Sequence, residues 1–241
     1  MSDETAKHHR PMFGKLPPSP ADRWRLVEEF IDVWYGAIQP AGFSNAELDA
    51  AEKKRGFRFP RELRRWYQLA GRRYDVWCHT LGMYFIEPDA LLVNGEYLIF
   101  LMDDFEGAIC WGIRLQDLDQ EDPPIWAMPA KDLLQEGDPP QFQCSATTTG
   151  FVISHMLWEL GINNKRFIIT HCPGNWLEYL NGTFLRCDIE HFHFNNRQAC
   201  QFYEGIDTIV APSNGWLCVR TEAAFAVLHP LLRAGRYGEP K

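Results

Sequence analysis

The sequence has no apolar run long enough to cross a bilayer. Its longest, Leu98–Met102, is far short of the roughly 20 residues a spanning helix needs. The first twenty residues are polar and Pro-rich and lack the apolar core of a signal peptide, so the chain reads as unexported and cytoplasmic. Cysteine is sparse and unpatterned: seven residues, an odd number, none in C-x-x-C spacing. In a reducing compartment such cysteines are small apolar core residues rather than a disulfide framework. Catalytic signatures are missing too. There is no Gly-x-Ser-x-Gly, no P-loop, no H-E-x-x-H and no G-x-G-x-x-G, which excludes the enzyme classes built on them. Positive charge is also short: the net charge of −8 argues against nucleic acid as a direct partner.

What is present is aromatic and strongly segregated in charge. Nine Trp and 16 Phe imply a core rich in rings. Residues 53 to 73 carry nine Lys/Arg and one acid, whereas residues 87 to 138 carry 13 Asp/Glu and two basic residues. The basic stretch belongs to the most legible part of the chain, residues 44 to 71. Ser44 and Glu47 have capping-box spacing, Gly56 suits a left-handed helix end, and Pro60 suits the start of the next helix. Leu63, Trp66, Tyr67 and Ala70 then recur at helical spacing before Gly71.

Taken in order, residues 1 to 18 read as a flexible leader in which His8 and His9 are solvated. Ser19 caps a first helix whose apolar face is Trp24, Val27, Phe30, Ile31, Trp34, Tyr35 and Ile38. Tyr97–Met102 and Ala108–Leu115 read as a hairpin across an acidic turn, and Ile125–Met128 as a third strand. A helix is expected over Thr149–Leu160 with Gly161 as its stop, and a strand near Phe167–Thr170. Residues 171 to 200 carry no clear pattern. A second hairpin runs across Pro212-Ser213-Asn214-Gly215, and Thr221 caps a last helix. The order predicts an α+β fold: N-terminal helices packed on an antiparallel-dominated sheet, with further helices C-terminal. One domain is expected over residues 19–235, followed by a short tail at 236–241.

These segments resemble the SUKH superfamily, the Smi/Knr-like proteins. The resemblance is carried by Ala51-Glu52-Lys53-Lys54-Arg55-Gly56-Phe57-Arg58-Phe59-Pro60-Arg61-Glu62-Leu63 with Tyr67 and Gly71. The strand Tyr97–Met102, the acidic turn ending at Gly107, Trp111-Gly112-Ile113 and Asp122-Pro123-Pro124-Ile125 carry it further. Phe59 stands where the family usually has Leu. The resemblance implies a binding protein without shared catalytic residues. Many bacterial members are immunity proteins against polymorphic or contact-dependent toxins, often nucleases, and fungal relatives are regulatory scaffolds.

The acidic middle is the sharpest candidate surface, since carboxylates can occlude the cationic cleft of a nuclease. Its residues are Asp103, Asp104 and Glu106 on one turn, and Asp117, Asp119, Glu121 and Asp122 on the next loop, with Trp111 and Trp126 as apolar anchors. The bland alternatives are a solvated surface, acids facing the chain's own basic hairpin, and tryptophans buried in the core. Consecutive loops of a meander also fall at opposite ends of the sheet, so one continuous patch is not guaranteed. A zinc site at Cys187, Asp188, His191, His193 and Cys200, with His171-Cys172 near, lacks the usual ligand spacing, and packing is the preferred reading. The expectation is a stoichiometric inhibitor of a protein toxin, with no cofactor, no metal and no turnover. A scaffold with a host protein partner is the alternative, and a hydrolase with an unrecognised site the second, because a Cys–His pair is defined in space rather than in order.

Overall fold

A computed structural model of the chain describes residues 8–36, 42–77, 83–85, 87–88, 92–94, 96–103, 109–129, 142–163, 166–168, 176–191, 200–212 and 216–227. The fold is α+β with antiparallel sheets, as the element order predicts. The chain divides into two compact units, each built on its own sheet. The first takes Met1–Ala37, Leu160–His191 and Ala199–Lys241, and the second is mainly Ile38–Glu159.

The second unit opens with helices α2 (Asn45–Arg55) and α3 (Arg61–Ala70), then the short α4 (Tyr74–Trp77). Both halves of the capping box form: Glu47 N–H donates to the Ser44 hydroxyl, and Ser44 N–H donates to the Glu47 carboxylate at 2.8 Å. Hydrogen bonds from the Ser44 backbone, the Ser44 hydroxyl and Arg72 hold that carboxyl down at about 2. Gly56 ends α2 at φ +79°, a left-handed conformation that L side chains rarely adopt.

Six strands form the sheet of this unit: β1 (Met83–Phe85), β2 (Leu92–Asn94), β3 (Tyr97–Asp103), β4 (Ile109–Arg114), β5 (Ile125–Pro129) and β6 (Phe142–Ser145). β3, β4, β5 and β6 are consecutive antiparallel neighbours, and β1 and β2 both pair along the other side of β3. Strand alternation separates two faces. Phe100 and Trp111 face helix α5 (Thr148–Asn163) and meet Phe151, at 5.7 Å and 6.3 Å between ring centroids. Trp66 of α3 and His155 of α5 both pack on Trp77 of α4, whose indole N–H donates to Ala70 O. The opposite face holds a smaller cluster of Tyr97, Ile99, Cys110 and Met128, with Met102 and Trp126 packed against it. Gly161, expected to stop α5, lies inside it. A glycine costs a helix only about 1 kcal/mol, which the packing of a largely buried helix outweighs.

The first unit has helix α1 (Pro20–Tyr35) and the sheet order β7-β11-β10-β9-β8. Its strands are β7 (Arg166–Ile168), β8 (Leu185–His191), β9 (Cys200–Gly205), β10 (Thr208–Ala211) and β11 (Trp216–Val219). One face packs Tyr203, Val210 and Leu217 against helices α6 (Trp176–Thr183) and α7 (Glu222–Val227) through Trp176, Leu180 and Ala224. α6 and β8 occupy the stretch that carries no clear pattern in the sequence. Thr221 caps α7 as expected, its hydroxyl accepting from Ala224 N–H at 3.1 Å. Ser19 takes the cap position of α1 without a side-chain bond.

Residues 8 to 18 correct the expectation of a flexible leader. His9 and Phe13 are fully buried. Glu204 on β9 is also fully buried and accepts from Met12 N–H at 3.0 Å and Phe13 N–H at 2.7 Å. The segment lies on the sheet face opposite Tyr203, and His9 and Phe13 pack on Phe30 of α1. Its polarity is matched by buried carboxylates far along the chain, which no local pattern reveals.

Candidate functional site

Strands β3, β4 and β5 place the candidate residues of the second unit. Tyr97 pairs across to Arg114, and Gly112 to Trp126, so all four lie on the sheet face away from α5. A Cβ on Gly112 would come within 2.7 Å of Leu98 O, so only glycine fits there. The Trp126 indole is the cross-strand neighbour of that bare backbone. Arg114 stacks on Trp126 with its guanidinium carbon 3.5 Å from the ring centroid, and its Nε–H donates to the Tyr97 hydroxyl at 3.2 Å. Arg114 and Trp126 are half-buried; Tyr97 is buried.

Arg114 leads directly into an acidic loop that begins with a 3₁₀ turn, Leu115–Asp117. The loop is pinned along its length. Leu115 N–H donates to Glu96 O at 2.7 Å, Gln120 N–H to Asp117 O at 3.0 Å, and Glu62 N–H of α3 to Glu121 O at 3.0 Å. The Asp122 carboxylate caps α5, accepting from Thr149 N–H at 2.9 Å and the Thr149 hydroxyl at 2.7 Å. The Thr148 hydroxyl donates to Pro123 O at 2.9 Å. An anchored loop loses little conformational entropy when a partner docks on it.

The structure divides the acids chosen from the sequence. Asp117, Asp119 and Glu121 sit together on the pinned loop; Asp119 and Glu121 are exposed and Asp117 is half-buried. Glu121 meets Arg61 at 3.2 Å with both side chains more than 60% exposed, a geometry worth at most about 1 kcal/mol. Asp122 is committed to the helix cap. Asp103 pairs with Ile109, at the opposite end of β3 and β4 from Arg114, about 17 Å away at the strand rise. Asp104 and Glu106 lie outside the described residues. Trp111 is 1% exposed and belongs to the core between β4 and α5, so it offers no surface anchor; Trp126 is the indole at the surface.

The basic hairpin is largely met by acids of its own unit. Arg64 reaches Glu52 at 2.9 Å and Asp49 at 2.8 Å, Arg72 reaches Glu47 at 2.6 Å, and Arg73 reaches Asp75 at 2.6 Å. Among the residues weighed as metal ligands, Cys187 and Cys200 are buried and Asp188 is exposed, and the described residues contain no cluster able to hold a metal ion. His171, Cys172 and His193 lie outside the described residues.

Sequence reading missed the buried polar cluster of the first unit. His9 Nε2 lies 3.1 Å from Glu204 Oε1. Asp207, at φ +50°, accepts from His9 N–H at 2.7 Å and from Arg220 Nε–H at 3.0 Å, and its other oxygen meets His8 Nδ1 at 2.6 Å. Burial raises the Asp207 carboxyl, but the bonds from His8, Arg220 and the His9 N–H outweigh it and hold it below its ordinary value. The cluster fastens the N-terminal segment. Its one signal in the sequence is the pair Glu204 and Asp207 inside an otherwise apolar hairpin.

Compared with family models, with curated proteins and with solved structures, the chain matches none of them.

Replacing Asp122 by Ala is expected to cost about 1 kcal/mol through loss of the α5 cap. Chemical denaturation followed by far-UV circular dichroism reads this directly, and Asp122→Asn should recover most of the loss.

Proposed function

We propose that this chain is a non-catalytic binding protein that neutralises a protein toxin by covering its cationic surface. The observation that carries this reading is the pinned loop: Asp117, Asp119 and Glu121 are held at the surface by backbone and cap bonds on both sides. Carboxylates fixed in this way attract a basic cleft and select it by charge. The likeness to Smi/Knr-like immunity proteins, in the helical hairpin and in the strand–turn–strand with Trp111-Gly112, supports the same reading. A nuclease suits it, because a phosphate-binding cleft is positively charged.

Co-expression with a toxin encoded by a neighbouring gene is the test. The wild-type chain is expected to restore growth, and the triple variant D117N/D119N/E121Q to restore it poorly. With purified proteins, the triple variant should associate roughly 10- to 100-fold more slowly at low salt, the difference shrinking as salt rises. Equal rescue by the triple variant would overturn the electrostatic mechanism. Failure of the wild-type chain to bind any such toxin would overturn the immunity reading.

A further inference from the structure

The acidic loop begins beside a cation that the fold holds in place and that meets no carboxylate among the described residues. Arg61, Arg64, Arg72, Arg73 and Arg220 each meet a carboxylate. Arg114 meets none among the described residues. Its Nε–H is spent on the Tyr97 hydroxyl, and its plane lies on Trp126. Nη1 and Nη2 find no acceptor among the described residues, and the side chain is only half-buried. A guanidinium held by stacking and by one hydrogen bond has already given up its rotamer freedom, and its outer edge offers parallel N–H donors. Such an edge matches a carboxylate in two-point geometry.

We propose that Arg114 is the point at which this surface recognises one carboxylate of its protein partner. The inference rests on the reading of the loop as a partner-docking surface and deepens it: the partner presents basic residues to Asp117, Asp119 and Glu121, and an Asp or Glu side chain to Arg114. The local charge favours a carboxylate over a phosphoryl group. Arg114 stands three residues before Asp117 and five before Asp119 in sequence, and the backbone of Glu96 bonds to the residue that follows it. In that negative field a dianion is opposed about twice as strongly as a monoanion. Arginine and tryptophan are also both enriched among the residues that carry most of the binding energy at protein interfaces.

The test needs no toxin. The protein is labelled with 5-fluorotryptophan, and the Trp126 fluorine resonance is assigned by its disappearance in Trp126→Phe. Sodium acetate is expected to shift that resonance saturably, while acetamide and sodium chloride leave it in place. The acetate shift should be lost in Arg114→Gln and weakened in Arg114→Lys, which keeps the charge but not the fork. Unchanged resonances of the other tryptophans show that each variant is folded. An equal response to acetamide, an acetate shift that survives in Arg114→Gln, or saturation by inorganic phosphate at lower concentration than acetate would each overturn the assignment. None of these outcomes bears on growth rescue, so failure here is distinct from failure of the toxin-binding reading.

Discussion

Glu204→Ala is expected to release residues 8 to 13 from the first unit at a cost of about 3–5 kcal/mol. Glu204 is 0% exposed and does several jobs at once. One oxygen accepts from the amides of Met12 and Phe13, and the other faces the His9 ring. Its charge also acts on Cys187, whose thiol is pushed well up by burial first and by the Glu204 carboxylate second. Alanine would leave the Met12 and Phe13 N–H groups and the His9 ring without these partners in a site lined by Phe30 and Trp34. Buried donors left unpaired cost the full loss of their hydration, so the damage exceeds the worth of any single bond. Glu204→Gln keeps the size and one acceptor oxygen and should fall between wild type and Ala. Hydrogen exchange at the Met12 and Phe13 amides is the local measurement, and the denaturation midpoint the global one. Exchange in Glu204→Ala as slow as in wild type would show that these carboxylate bonds do not hold the segment. His9→Ala should show the same change in weaker form, because Glu204 keeps its two amide donors.

What could be read from the sequence follows the range of the interactions involved. The α2–α3 hairpin was legible because its causes are local: Ser44 and Glu47 satisfy each other within one turn, and Gly56 and Leu63 declare a helix end and an apolar face. The β3–β4–β5 meander was legible for the same reason, its apolar runs being separated by polar, acidic connections. The polar cluster of His9, Glu204 and Asp207 was not, because its partners lie 191 to 199 residues apart and each looks solvated in its own window. The division into two units was hidden likewise, since the first unit draws its residues from both ends of the chain. α5 outran its expected stop at Gly161 because burial outweighs one unfavourable residue. At the candidate surface the acids were legible as composition. Their separation by the length of β4, and the use of Asp122 as a cap, are matters of register and of tertiary bonding.

The two tryptophans proposed together from the sequence should behave oppositely when removed. Trp111→Ala is expected to cost about 3–5 kcal/mol, as large-to-small changes of buried aromatics do. Its indole lies 6.3 Å from the Phe151 ring and 6.5 Å from the His155 ring, centroid to centroid, between β4 and α5. Met156 and Leu157 of α5 are themselves fully buried, so the helix has little freedom to close the space. Trp126→Ala removes a half-buried ring, its stacking with Arg114 and its place beside Gly112, and should cost about 1–2 kcal/mol. In thermal melts Trp111→Ala therefore lowers Tm strongly, while Trp126→Ala lowers it little. On the proposed toxin-docking reading the order should reverse in toxin binding, at temperatures where both variants remain folded: Trp126→Ala should bind worse, because Arg114 would lose its stacking platform, and Trp111→Ala should bind as wild type does. A Trp111→Ala variant that melts like wild type would remove this residue from the core. Unimpaired toxin binding by a folded Trp126→Ala would mean that the face carrying Arg114 takes no part in docking, which leaves the loop acids as the whole of the recognition.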